Sequence, residues 1–230
     1  MPTKAALKKS VLIRIPLYAV FMAAVLFGTA GRLDWWMGWA YVLLMLIVMI
    51  PTALTMAEEM PDLMVERMSR KKDVKRWDRV FVPLVAGIGP LATWIVAGLD
   101  VRFGWTGELP WLLATGGLAV ALIGQMMTVR AMKENRFFSA FVRIQRDRGH
   151  RVVDTGPYAR VRHPGYTGAI LFCVGLPAML ESLWAFVPSL ITAGLLVART
   201  ALEDQTLRRE LEGYATYAGR VRYRLVPGIW

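Results

Sequence analysis

The chain has 230 residues, 56% of them hydrophobic, with 28 Lys and Arg against 17 Asp and Glu and a formal net charge of +11. Its mean hydropathy of +0.42 is well above that of a water-soluble domain of this size. A single cysteine, Cys173, excludes a disulfide framework within one chain, and two histidines, His150 and His163, show no helical ligand spacing for zinc.

Long apolar runs predict an all-α integral membrane protein of about six transmembrane helices, at roughly 11–31, 36–57, 80–99, 111–131, 168–181 and 185–202. The first four can cross a hydrocarbon core of ~30 Å. The last two are shorter and read as a tight hairpin across residues 181–184. No cleavable signal peptide is expected, because Lys4, Lys8 and Lys9 lead into a span without a clear small-residue cleavage site. Trp35, Trp36 and Trp39 open the second span and Trp105 and Trp111 flank the fourth, as in an interface belt.

The loop from Glu58 to Arg79 carries Arg67, Arg70, Lys71, Lys72, Lys75 and Arg76 and reads as a solvated amphipathic helix on the membrane surface. With the N-terminus inside, 26 of the 28 Lys and Arg residues fall on inner segments, leaving Arg32 and Arg102 outside. That asymmetry predicts a multi-pass protein with both termini cytoplasmic. It also accounts for the charge without nucleic acid, and leaves membrane lipids as partners of the basic face.

From Arg130 the composition changes. The fourth span is expected to run on through residues 132–139, followed by an amphipathic stretch to Arg148 and a break at Gly149. Val152 and Val153 read as extended, and Thr155-Gly156-Pro157 as a turn. Pro164 disfavours helix at His163 and suits the first turn of the fifth span. Residues 203–218 place Leu207, Leu211, Tyr214 and Ala218 on one face of an amphipathic helix, with Gly219 as its stop. The tail 221–230 is expected to pack back.

Two clusters carry chemistry. Arg162 and His163 stand at a span entrance, where they serve either a site or lipid headgroups. Arg199 and Glu203, four residues apart, form either an ion pair or a site, while Asp204 reads as a solvated or capping acid. If the pocket holds S-adenosylmethionine, Tyr158, His163 and Tyr166 offer donors, Glu203 an acid, and Val152-Val153 with the tyrosine rings a wall for adenine. Arg199 then orients an anionic acceptor.

Gly156-x-Tyr158, Arg162-His163-Pro164-x-Tyr166-x-Gly168, Arg199-x-x-x-Glu203-Asp204 and Tyr214, Tyr217, Arg220, Val221 and Pro227 occur in this order. This combination, over about 135–230, resembles the isoprenylcysteine carboxyl methyltransferase family, and related phospholipid methyltransferases share much of it. The resemblance implies four N-terminal spans in 1–131 and, in 132–230, a methyltransferase core of two further spans with a cytoplasmic C-terminal cofactor-binding segment. It places cofactor contacts on Gln145, His150, Arg151, Val152, Val153, Tyr158, His163, Pro164, Gly165 and Tyr166, and the cofactor-side acid on Glu203. Arg199 becomes the substrate-orienting, catalytic arginine, and Asn135 matches a substrate-side asparagine. The interval from Gln145 to Gly156 is shorter than in the eukaryotic enzymes, and Gly165 replaces a bulkier or polar residue.

The expected activity is therefore S-adenosylmethionine-dependent methylation of a lipophilic or lipidated acceptor drawn from the bilayer, preferably a carboxylate. A phospholipid amine acceptor, an NADPH-dependent reductase using Arg220, Arg222 and Arg224 for a 2′-phosphate, and a lipid-binding scaffold remain as alternatives.

Overall fold

The computed structural model describes residues 2–69 and 73–230; Arg70, Lys71 and Lys72 of the expected surface helix lie outside them. The described residues form helices α1 (Lys4–Ala30), α2 (Trp36–Glu59), α3 (Pro61–Met68), α4 (Asp78–Pro83), α5 (Gly89–Phe103), α6 (Trp111–Glu134), α7 (Pro164–Met179), α8 (Phe186–Glu210) and α9 (Tyr214–Arg220), and no strand. A wide π-helical turn, Leu84–Ile88, joins α4 and α5 without a break, so that Asp78–Phe103 is one apolar span. Five helices are long and apolar enough to cross a membrane, while α7, with 16 residues, is shorter. Their outer faces present Leu17, Val20, Trp111 and Ile191, all more than half exposed, as expected of helices solvated by lipid.

α6 and α7 form the closest helix pair. A Cβ on Gly124 would lie 2.5 Å from the Gly168 carbonyl oxygen, and one on Gly117 would lie 2.3 Å from the Met179 nitrogen. Such small-residue seams let transmembrane backbones approach closely where lipid offers no hydrophobic drive. This seam fixes the start of α7, and with it Gly165 and Tyr166.

Several expectations change in three dimensions. α6 ends at Glu134 because the Asn135 carboxamide oxygen accepts from the Phe137 N–H (2.8 Å), a local turn that competes with the helix. α8 is not confined to its span but continues to Glu210, and the chain turns at Gly213 (φ 78°) into the separate α9, in which Gly219 is internal. Leu207, Leu211, Tyr214 and Ala218 nevertheless converge in one cluster. Trp35 is buried, edge-on to Phe27 at 6.2 Å, whereas Trp36, Trp39, Trp105 and Trp111 are exposed as expected. The tail does pack back: Tyr223 and Arg224 carbonyls accept from the Arg162 and His163 N–H groups, each at 2.9 Å.

Candidate active site

A cleft lined by polar and aromatic side chains, hereafter the polar cleft, lies between the loop after α6, the start of α7, α8 and α9. Gln145, His150, Arg151, Val152, Val153, Tyr158, His163, Gly165, Tyr166 and Glu203 line it, ten of the residues expected to touch a cofactor. Pro164 is buried at the first turn of α7. Asn135, expected on the substrate side, lines this cleft and donates to the Tyr158 hydroxyl (3.3 Å). Gly165 is required by close approach, since a Cβ there would stand 2.5 Å from the Phe138 ring.

One wall is aromatic. His150 stacks on Phe137 with ring centroids 4.6 Å apart, and its Nδ1 accepts from the Gln145 N–H (3.2 Å). Burial, then the Arg143 and Arg148 cations, push the imidazole down to about 4. It is therefore neutral near pH 7. Gln145 is itself buried and donates to the Phe137 carbonyl (2.7 Å). Burial pushes the Tyr158 hydroxyl up, and Tyr217 ties the Tyr158 carbonyl at 2.7 Å. The loop is anchored from below by Arg143, whose guanidinium meets Glu66 in a two-point pair (2.7 and 2.8 Å) and also reaches Asp73 and Asp147, each at 2.9 Å.

Beneath the cleft Asp204 is fully buried, not solvated. It accepts from Arg162 Nε (2.7 Å), Tyr214 OH (3.0 Å), Arg224 Nε (3.0 Å) and Arg208 Nε (3.1 Å), with His163 Nε2 at 3.4 Å. Arg162 is thus an internal strut, 3% exposed, that also donates to the Val221 and Arg222 carbonyls, and it does not face lipid headgroups. Arg224 is committed to this hub and Arg220 to Asp154 (2.7 Å), so two of the three cations expected to serve a 2′-phosphate are already paired.

A second, largely apolar cavity lies among α4, the π-helical turn, α5, α6, α7 and α8. Arg199 stands at its head, and it pairs not with Glu203 but with Asp78: Nε to Oδ1 at 2.6 Å and Nη2 to Oδ2 at 3.1 Å. Nη2 also reaches the Ala140 carbonyl (2.9 Å), and the guanidinium lies 5.3 Å above the Tyr166 ring. Among the described residues Nη1 has no hydrogen-bond partner. Glu203 instead accepts from the Tyr166 hydroxyl at 2.5 Å. Phe138, Gly165, Tyr166 and Glu203 line both cavities, so these four residues form a common wall.

Asp78 and Phe138 were not singled out from sequence, and Arg67, read as one cation of a solvated surface helix, is instead half-buried against Phe138. Asp78 sits at the start of a span. Only the fold brings it to Arg199.

Fold and site together define a polytopic helical membrane protein in which a polar cleft and an apolar cavity share a wall. Residues 117–209 match the model of the isoprenylcysteine carboxyl methyltransferase (ICMT) family. The chain is similar to protein-S-isoprenylcysteine O-methyltransferase B of Arabidopsis thaliana, 27% identical over 114 residues, which are 48% of this chain and 58% of that protein. It is also similar to a probable protein-S-isoprenylcysteine O-methyltransferase of Oryza sativa subsp. indica, 31% identical over 111 residues, 46% of this chain and 58% of that one. The matched region thus spans less than two thirds of these relatives. A solved structure of the eukaryotic intramembrane Ras methyltransferase ICMT superposes with a TM-score of 0.54 at 17% identity, covering 95% of this chain and 85% of that one. The fold is therefore shared, and the resemblance carried by the C-terminal motifs is borne out.

Proposed function

We propose that this chain is an integral-membrane, S-adenosylmethionine-dependent methyltransferase acting on a lipophilic acceptor, preferably a carboxylate such as an isoprenylcysteine. The observation that carries this reading is the common wall: a water-soluble methyl donor and a membrane-soluble acceptor need two compartments that touch at one point. The positive-inside pattern supports both termini and the cleft lying on the cytoplasmic side, where a soluble donor is available. By this reading 132–230 is the methyltransferase core and 1–131 supplies four spans around it.

The donor set of the cleft suits this cofactor. Its flat Phe137–His150 wall and Val152-Val153 fit an adenine, Glu203 answers a cation, and His163 with the 150–153 backbone serves an amino-acid end. When bound, the cofactor supplies an electrophilic methyl group on a sulfonium.

Arg199 holds the acceptor's anionic end by its free Nη1 edge, with Asp78 and the Tyr166 ring fixing the plane of the guanidinium. Positioning and exclusion of water then supply most of the acceleration. A carboxylate acceptor needs no proton removed. Glu203, the carboxylate in the common wall, already accepts a hydrogen bond from the Tyr166 hydroxyl.

The test incubates membranes carrying the protein with methyl-labelled S-adenosylmethionine and separates base-labile ester label from base-stable label. Ester label that disappears in Arg199→Ala supports the proposal. Base-stable label alone removes the carboxylate preference, and no label together with no binding of S-adenosylhomocysteine by the purified protein refutes the reading.

A further inference from the structure

Arg67, on α3 and outside the segment that matches the family, also lines the head of the apolar cavity, with Arg199 and Glu203. Its Nη1 donates to the Phe138 carbonyl at 2.9 Å, and the guanidinium lies 5.6 Å from the centroid of the same ring. The Phe138 ring belongs to the common wall, so Arg67 is braced against the place where the two cavities meet. No carboxylate pairs with it among the described residues. Its neighbours are already answered: Arg199 by Asp78, and Glu203 by the Tyr166 hydroxyl on one side.

Charge accounting makes this arrangement unusual. A cation withdrawn from water without a partner is costly, and it is normally met by an anion. Burial and the neighbouring Arg199 cation both push the Arg67 guanidinium below its ordinary value, a direction that an adjacent anion would reverse. In the proposed reaction, on which this argument rests, Glu203 answers the cationic donor and Arg199 is offset by Asp78. One positive charge is left over at the cavity head.

We propose that Arg67 is a second acceptor-binding cation, which together with Arg199 seats the anionic head of an amphiphile whose apolar tail fills the cavity between α5, α7 and α8. Two guanidinium groups from α3 and α8 grip one head from two sides, and the acceptor's charge becomes a condition of entry. An uncharged amphiphile of the same shape would leave the half-buried Arg67 without an anion.

The test measures binding of N-acetyl-S-farnesylcysteine and of its uncharged methylamide to the purified full chain, with and without S-adenosylhomocysteine. The wild-type protein is expected to prefer the carboxylate by at least about tenfold, the usual scale of a charge-assisted hydrogen bond. Arg67→Gln is expected to weaken carboxylate binding about 10- to 100-fold, to leave the methylamide within about twofold, and to keep wild-type affinity for S-adenosylhomocysteine. Arg67→Lys, which keeps the charge, should recover part of the preference even if Arg67→Gln fails to fold. A wild-type protein indifferent to the charge overturns the inference, as does an undiminished carboxylate preference in Arg67→Gln or, should that variant fail to fold, in Arg67→Met. Failure of the wild type to bind S-adenosylhomocysteine in any arm instead counts against the methyltransferase reading, and the amphiphile preference is read independently of it.

Discussion

Asp78 and Arg199 stand 121 residues apart in the chain and meet in a two-point ion pair at 2.6 and 3.1 Å, with Asp78 wholly buried. The same carboxylate accepts from the Val142 N–H at 2.6 Å. One side chain therefore holds the arginine at the head of the apolar cavity and the loop that lines the polar cleft. Replacing Asp78 by Asn puts an amide N–H₂ against either a guanidinium or a backbone N–H. Breaking a buried pair on one side costs about 3–5 kcal/mol. Asp78→Asn is expected to lower the melting temperature in detergent and to reduce methyl transfer at least tenfold. Near-wild-type values in both measurements would show that the pair is incidental.

Asp204 offers a contrast between a buried and an exposed carboxylate. It joins Arg162, Arg208, Arg224 and Tyr214, whereas Asp154 makes an exposed pair with Arg220. Exposed pairs contribute about 0–1 kcal/mol, and buried networks lose several when one member is removed. Asp204→Asn should therefore fail to accumulate or melt far below wild type, while Asp154→Asn should melt within a degree or two of it. Equal melting curves for the two would contradict the assignment of Asp204 as the buried hub beneath the cleft.

The His150 imidazole gives a pH signature. Its folded value is about 4 against an ordinary 6.5, because burial and then the Arg143 and Arg148 cations disfavour the charged form. Between these values the unfolded chain binds a proton that the folded chain refuses, so this contribution to stability is complete above pH 6.5 and lost progressively toward pH 4. A melting-temperature series from pH 7.5 to 4.5 should fall less steeply in His150→Gln than in wild type. Parallel curves would mean that the imidazole is not protected as described.

Neighbouring glycines on α6 test the helix seam. A Cβ on Gly116 meets nothing within 4 Å, whereas one on Gly117 would lie 2.3 Å from the Met179 nitrogen. Gly117→Val should prevent α7 from docking and abolish binding in the cleft that α7 helps to line. Gly116→Val should bind S-adenosylhomocysteine like wild type. The comparison is read by calorimetry on the two purified variants.

Most of the cleft residues between 145 and 166 were marked through the family resemblance, whereas the residues alone pointed only to a polar pocket at the entrance of α7. Helix existence was legible from apolar runs, but helix ends were not. The α6 terminus depends on the Asn135 side chain bonding its own backbone, and the break between α8 and α9 depends on Gly213 at φ 78°, neither of which the apolar pattern reveals. The head of the apolar cavity was the least legible part. Arg67 reaches Phe138 across 71 residues and Asp78 reaches Arg199 across 121, and no local pattern marks either pairing.

The wide turn Leu84–Ile88 lies between Asp78, which grips Arg199, and Gly89, where a Cβ would lie 2.2 Å from Thr192 Oγ1. Both contacts are made to α8, on either side of a turn that carries one residue more than ordinary helical pitch. Each residue rotates an α-helix by about 100°. Returning this turn to ordinary pitch would leave Gly89 seated against α8 and swing Asp78 round to another side. The alignment of the polar head with the apolar cavity is thus a matter of helical phase, kept by one surplus residue inside an unbroken span.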